Sequence, residues 1–196
     1  MQLKFYLVKN ILDSLFGKHV LIIIPKSQFC EQELDGVKTA LQQSEAKVVV
    51  LSKSGQEARG TNKNKFQPDG MIVDWNKKIS VNKKYHAVIL LGGKGAKKSL
   101  WGDPIIPQIL TDHYRSGSVI GAIGEALVVL VRASLVAGEI PLPQDEDTCQ
   151  ELKSLNAVCV DTPVISYGNM VYGQSRESID KFSQTIIDLV ETSEVS

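Results

Sequence analysis

The chain has 196 residues, 43% hydrophobic and 22% charged, the proportions of a globular domain large enough to bury a substantial core. Lys plus Arg and Asp plus Glu both number 22, so the formal charge is zero and electrostatics make no case for a nucleic-acid partner. Three cysteines, Cys30, Cys149 and Cys159, are too few for a disulfide framework, and their odd count suits a reducing compartment.

In chain order, residues 2–16 place Leu3, Leu7, Ile11 and Leu15 four apart, which predicts an amphipathic helix stopped by Gly17. This extension, residues 1–17, precedes a single domain over 18–196. It docks on its own domain or serves as a dimer arm; its polar face has too few Lys and Arg for a membrane-surface anchor. No apolar run approaches the roughly 20 residues of a membrane helix, and Lys4, Lys9 and Asp13 make the N-terminus a poor signal peptide, so a cytoplasmic protein with no membrane partner is expected.

His19–Pro25 is a near-continuous apolar strand of the kind found at the centre of a parallel sheet. Ser27–Glu33 reads as a polar turn, Leu34, Val37, Ala40 and Leu41 mark a helix, and Lys47–Leu51 is a second strand. Ser52–Lys84 is rich in Gly, Asn, Lys and Ser, which predicts a short hairpin and exposed loops, with Met71–Trp75 as its strand candidate. Ala87–Leu91 is the third main strand. The glycine-rich turn after it, Gly92-Gly93-Lys94-Gly95, matches neither dinucleotide nor phosphate-loop spacing, and no cofactor is implied. A tight turn bordering a ligand crevice is the reading that remains.

Pro104–Ser116 is a helix, Val119–Ile123 a short β-branched strand, and Leu127–Val136 a buried helix ending at Gly138. Pro141–Asp147 is an acidic loop and Cys149–Leu155 a short helix. Val158–Val160, Val164–Ser166 and Met170–Tyr172 are strands, the last two joined at Tyr167-Gly-Asn, and Ile179–Val190 is a closing helix. This alternation gives an α/β fold, a doubly wound and mostly parallel sheet with helices on both faces. Strand, Gly124-Glu125-Ala126 turn and buried helix together form a nucleophile elbow, whose apex carries a serine or cysteine in working hydrolases and Gly124 here.

The succession H-V-L-I-I-I-P, F-C-E-Q-E-L, A-K-V-V-V-L-S, P-D-G, Y-H-A-V-I-L-L-G-G-K-G-A, V-I-G-A-I-G-E-A and V-D-T-P-V-I-S-Y-G-N resembles the landmarks of the ThiJ/PfpI family from about Lys18 to Val190. The resemblance implies the flavodoxin-like fold of the class I glutamine amidotransferase-like superfamily, and an activity among intracellular peptidases, glyoxalases and deglycases. It places Gly124 where the family's A-I-C-H-G or A-I-C-A-G elbow has its cysteine, and Glu125 where peptidase-like members have histidine. Glu33 matches the glutamate that hydrogen-bonds that cysteine, and Gly92-Gly93 matches the turn lining the oxyanion site. The segment after the elbow helix is shortened to Glu139–Pro143.

Family chemistry needs a thiolate, and glycine supplies none. Glycine adopts positive φ freely, so it also relieves the roughly 1–3 kcal/mol that a side chain costs at such a turn. Two functions compete. One is a non-catalytic relative, a homodimer binding a small molecule or protein partner at a crevice of Glu33, Gly92, Gly93, Gly124 and Glu125. The other is a family-type hydrolase using Cys30, with Glu33 as its partner, or an unrecognised group. Glu33 and Glu125 also stand as paired carboxylates for acid–base work. Cys149 and Cys159 fall outside the expected pocket; His19, His86 and His113 occupy no family catalytic position, and their spacing implies no metal site.

Overall fold

The computed structural model describes residues 14–80, 83–193 and 195. In chain order the elements are β1 (His19–Ile24), β2 (Ser27–Phe29), α1 (Glu31–Gln43), β3 (Lys47–Ser52), β4 (Ala58–Gly60), β5 (Lys65–Phe66), β6 (Gly70–Met71) and β7 (Ala87–Leu90). Then come α2 (Ala96–Ser99), α3 (Ile106–Arg115), β8 (Val119–Ile123), α4 (Leu127–Arg132), β9 (Ile140–Pro141) and α5 (Glu146–Ser154). The chain closes with β10 (Cys159–Val160), β11 (Val164–Tyr167), β12 (Met170–Gly173) and α6 (Ile179–Thr192).

Seven strands form one sheet in the order β11-β12-β8-β7-β1-β3-β6, parallel except where β11 returns antiparallel to β12. The expected mostly parallel α/β sheet is therefore the observed one. The period of two along β1 divides the core. Val20, Ile22 and Ile24 face α1 and α6, meeting Leu34, Val37, Leu41, Phe182 and Ile186. Leu21 and Ile23 face the other layer, with Ile106 and Ile109 of α3, Leu127 and Leu130 of α4, and Leu152 of α5. Among the described residues no helix is long and apolar enough to cross a membrane.

Several expectations are corrected by pairing that local sequence does not reveal. Ser27–Phe29 is not a turn: it pairs in parallel with β4 of the insert. The helix that follows starts at Glu31, an acidic residue in the first turn that suits the positive end of the helix dipole. The expected hairpin in the insert is β4–β5. Of the Met71–Trp75 strand only Met71 pairs, because β3 offers this edge just Leu51 and Ser52; Ile72–Lys78 wind into 3₁₀ turns.

The elbow helix stops at Arg132 rather than Val136. Ser134 adopts φ +56°, and the Leu135 and Ser134 N–H groups close on Leu130 O and Val131 O, a left-handed cap made without glycine. Helix α5 begins at Glu146 rather than Cys149, because Asp145 caps it by accepting from the Thr148 N–H at 2.9 Å. Most of the predicted N-terminal helix lies outside the described residues, including Leu3, Leu7 and Ile11. Ser14–Phe16 are not helical; Leu15 is fully buried with its N–H on Ser44 O, whereas Phe16 is 82% exposed.

Candidate functional site at the strand–helix elbow

The five residues of β8 are all buried, and the strand ends at the carboxyl edge of the sheet beside the end of β7, where ligand crevices of such folds lie. Ile123 is still extended at φ −133°; Gly124 turns to φ +58°, and the chain passes through a 3₁₀ turn over Gly124–Ala126 into α4. That left-handed step makes the turn sharp and is one glycine takes without steric cost. A Cβ built on Gly124 meets a single neighbour within 4 Å, Glu33 Oε1 at 3.3 Å, so the apex opens onto free space.

Glu33 comes from the first turn of α1 and is 3% exposed. Its Oε2 accepts the Gly92 N–H at 2.7 Å. The Gly93 N–H donates to Glu125 Oε2 at 2.8 Å, and the Glu125 carbonyl accepts the Trp101 indole N–H at 2.7 Å. Both amides of the Gly-Gly turn are therefore held by the chain's own carboxyl groups. The glycines are required there. A Cβ on Gly92 would stand 2.6 Å from Glu125 Oε2, and one on Gly93, at φ +104°, would stand 2.4 Å from Gln28 O and 2.5 Å from the Cys30 N.

Burial pushes the Glu33 carboxyl up to about 8, helped by the negative charge of Glu125 and opposed by the Gly92 N–H and the Cys30 thiol. At neutral pH Glu33 is therefore mainly protonated and available as a hydrogen-bond donor. Cys30, the residue preceding α1, lines the same cleft with its thiol pushed up to about 11, by burial first and then by Glu33. At neutral pH this group is therefore a thiol and not a thiolate. Cys30 is thus beside Glu33 as anticipated, but in surroundings that suppress a nucleophile.

The cleft holds about 300 Å³ and brings together Cys30, Glu33, Gly93, Gly124 and Glu125. Gly92 supports it from behind through the Glu33 contact. Sequence reasoning missed Asn62, Lys94, Asp145, Gln174 and Arg176 in its wall. Asp145 had a readable signal, a helix-capping aspartate before Glu146-Asp147. Asn62 had none, because its place depends on the β4–β5 hairpin folding over α1, where its N–H donates to Glu31 Oε1 at 2.6 Å. Cys149 and Cys159 lie outside the cleft; the Cys149 thiol donates to Pro143 O at 3.0 Å. His19 and His86 pair at the opposite, amino ends of β1 and β7, the His19 N–H donating to His86 Nδ1 at 3.1 Å, and His113 is buried in α3. Among the described residues no three His, Cys, Asp or Glu side chains are grouped to hold a metal ion.

Comparison with known proteins gives three concordant findings. A model of the DJ-1/PfpI family matches residues 18–189. An uncharacterized protein of Methanocaldococcus jannaschii is 27% identical over 183 residues, which span 91% of this chain and 85% of the relative. Among solved structures, a ThiJ/PfpI domain protein from Brachyspira murdochii superposes with a TM-score of 0.77 at 19% identity, covering 90% of this chain and 99% of that one. DJ-1beta of Drosophila melanogaster gives 0.74 at 21% identity over 89% of this chain and 90% of its own. At these identities the superpositions establish the fold.

Proposed function

The chain belongs to the DJ-1/PfpI family, and on that premise we propose that it is a non-catalytic member that binds a small polar molecule in the elbow cleft. The observation that carries this reading is the elbow itself. Gly124 stands at φ +58° with open space in front of it and a buried carboxyl, its pKa raised by burial, 3.3 Å from its absent Cβ. The frame that would hold a nucleophile persists and the nucleophile does not. The acceptors on the Gly92 and Gly93 amides support the same reading, since an oxyanion needs donors that are free to point at it.

The competing hydrolase reading depends on Cys30, and a thiol pushed up to about 11 is a poor attacking group. The homodimer and the cytoplasmic location expected from the sequence belong to the proposal as well; sedimentation of the purified chain as a single dimeric species checks the first.

The test is turnover of methylglyoxal and of peptide substrates by wild type and by Cys30→Ala. Rates indistinguishable from buffer for both proteins agree with a binding role. Turnover by wild type that disappears in Cys30→Ala would overturn it.

A further inference from the structure

The seven-stranded sheet ends on β11, and among the described residues no strand covers the outer side of β11. In an antiparallel ladder the N–H and C=O of one residue point to the same side, and those of the next residue to the other. Gln174 donates its N–H to Pro163 O at 2.9 Å, and Tyr167 pairs with Met170 at the turn, so Pro163, Ile165 and Tyr167 face β12. Val164 and Ser166 therefore turn their N–H and C=O groups outward, where no backbone group of the described residues pairs with them. From Thr162 to Asn169 the chain carries no charged side chain, and Ser166 and Tyr167 are exposed. Other edges are guarded. β6 is only 2 residues long before the chain turns away, and the Lys78 side chain lies against Gly70, its Cε 2.9 Å from where a Cβ would stand. β5 carries Lys65, with the exposed Lys63 just before it. Lysines on an edge discourage strand addition, and β11 has none.

We infer that β11 is the contact surface of a two-fold homodimer, in which the edge strands of two copies pair antiparallel and one sheet runs through both. This interface gives the homodimer proposed above its location and rests on that reading. The edge is self-complementary. With Ile165 of one copy opposite Ile165 of the other, Val164 of each copy faces Ser166 of the other and exchanges both N–H···O=C bonds with it. Every outward backbone group of Val164 and Ser166 is then paired. Tyr167, 38% exposed and with its ring 6.4 Å from that of Tyr172, comes opposite Pro163 of the other copy, which adds an apolar contact at each end of the pairing. The formal charge of zero and the uncharged edge let two copies meet without repulsion and give a charged peptide no advantage.

The experiment is sedimentation equilibrium of the full chain over a concentration series, with amide hydrogen exchange followed at Val164 and Ser166. A monomer–dimer equilibrium is expected, with both amides exchanging at least about tenfold more slowly in the dimer. Ser166→Pro removes an N–H that β12 does not use, at an edge position where proline is tolerated. It should raise the dimer dissociation constant about tenfold or more, since two inter-chain hydrogen bonds are lost by symmetry, with the far-UV circular dichroism unchanged. Ser166→Lys keeps the N–H but sets two lysines at diagonal positions of the new pair; it should weaken association in a salt-dependent way and decides the matter if the proline variant does not fold. A dimer whose association is unchanged in the folded variants overturns this interface and leaves the homodimer standing. A chain that stays monomeric at every concentration overturns both. Slow exchange of Val164 and Ser166 in the monomer, which would mean that the chain covers its own edge, also overturns the interface.

Discussion

Restoring a thiol at the elbow, as Gly124→Cys, tests whether the frame around Gly124 is still a working pocket. The new Cβ has one close contact, Glu33 Oε1 at 3.3 Å, which a shift of a few tenths of an ångström relieves. The main cost is a side chain at φ +58°, about 1–2 kcal/mol, and for a chain of this length that lowers Tm by about 2–8 °C. The introduced sulfur sits next to a carboxyl that is protonated at pH 7, so Glu33 can donate to the thiolate and favour it, while the Glu125 charge opposes. Donation is the short-range effect and should prevail, giving a thiol that mild peroxide oxidises in preference to Cys30, Cys149 and Cys159, all of which are shifted upward. Intact mass and peptide mapping after peroxide read this directly. Turnover should remain negligible, because the Gly93 amide is already engaged by Glu125. A folded variant whose introduced thiol resists peroxide like the native three would refute the reasoning, by showing that Glu33 does not act on the elbow position.

Three further outcomes follow from the same geometry. Glu33 holds its proton up to about 8 in the folded chain and to about 4.5 when unfolded, so its contribution to stability is complete below about 4.5 and is lost as pH rises to about 8. Denaturant unfolding should show wild type losing stability relative to Glu33→Gln across that window, by at most about 1.4 kcal/mol per pH unit; parallel profiles would contradict a protonated Glu33. Iodoacetamide at pH 7 should label Cys30 far more slowly than free cysteine, with a rate still climbing above pH 9; a plateau near neutrality would restore the hydrolase reading. Gly93→Ala should cost about 3–5 kcal/mol or prevent folding, since its methyl would enter the Gln28–Cys30 backbone, and a loss below about 1 kcal/mol in chemical denaturation would disprove that clash.

What was legible in the sequence was set by periodicity along single elements. The apolar runs of β1, β7 and β8 and the stripe of α6 announce themselves, because a strand buried on both faces and a helix buried on one leave different residue patterns. Pairing between distant segments was not legible: β2 exists because β4 comes to meet it, and Met71 is a strand residue only while β3 has an unpaired edge. The site divides in the same way. Gly124, Glu33 and Cys30 could be placed by motif, whereas the second contact of each carboxyl could not. Glu125 reads as a departure from the family's elbow, and only the fold shows that its carboxyl reaches back to the Gly93 amide.

That contact changes what the Gly92-Gly93 pair signifies. In sequence it looks like a relic of an oxyanion site, kept as evidence of former chemistry. In the structure each glycine is demanded by packing: Gly92 by the Glu125 carboxyl lying against it, and Gly93 by the backbone between Gln28 and Cys30. Either would be retained in a protein with no chemistry at all, because a side chain at these positions collides with backbone or with a fixed carboxyl. The identity of the two glycines therefore carries no weight for catalysis or for binding; only the engagement of their amides does. Glu33 is different, since nothing in packing asks a buried glutamate to bear a raised pKa and direct its second oxygen at an open volume; a glutamine would satisfy the Gly92 amide as well, with no burial penalty for a charge. The functional claim stands on that carboxyl and on the space before Gly124, and both are open to direct test by substitution.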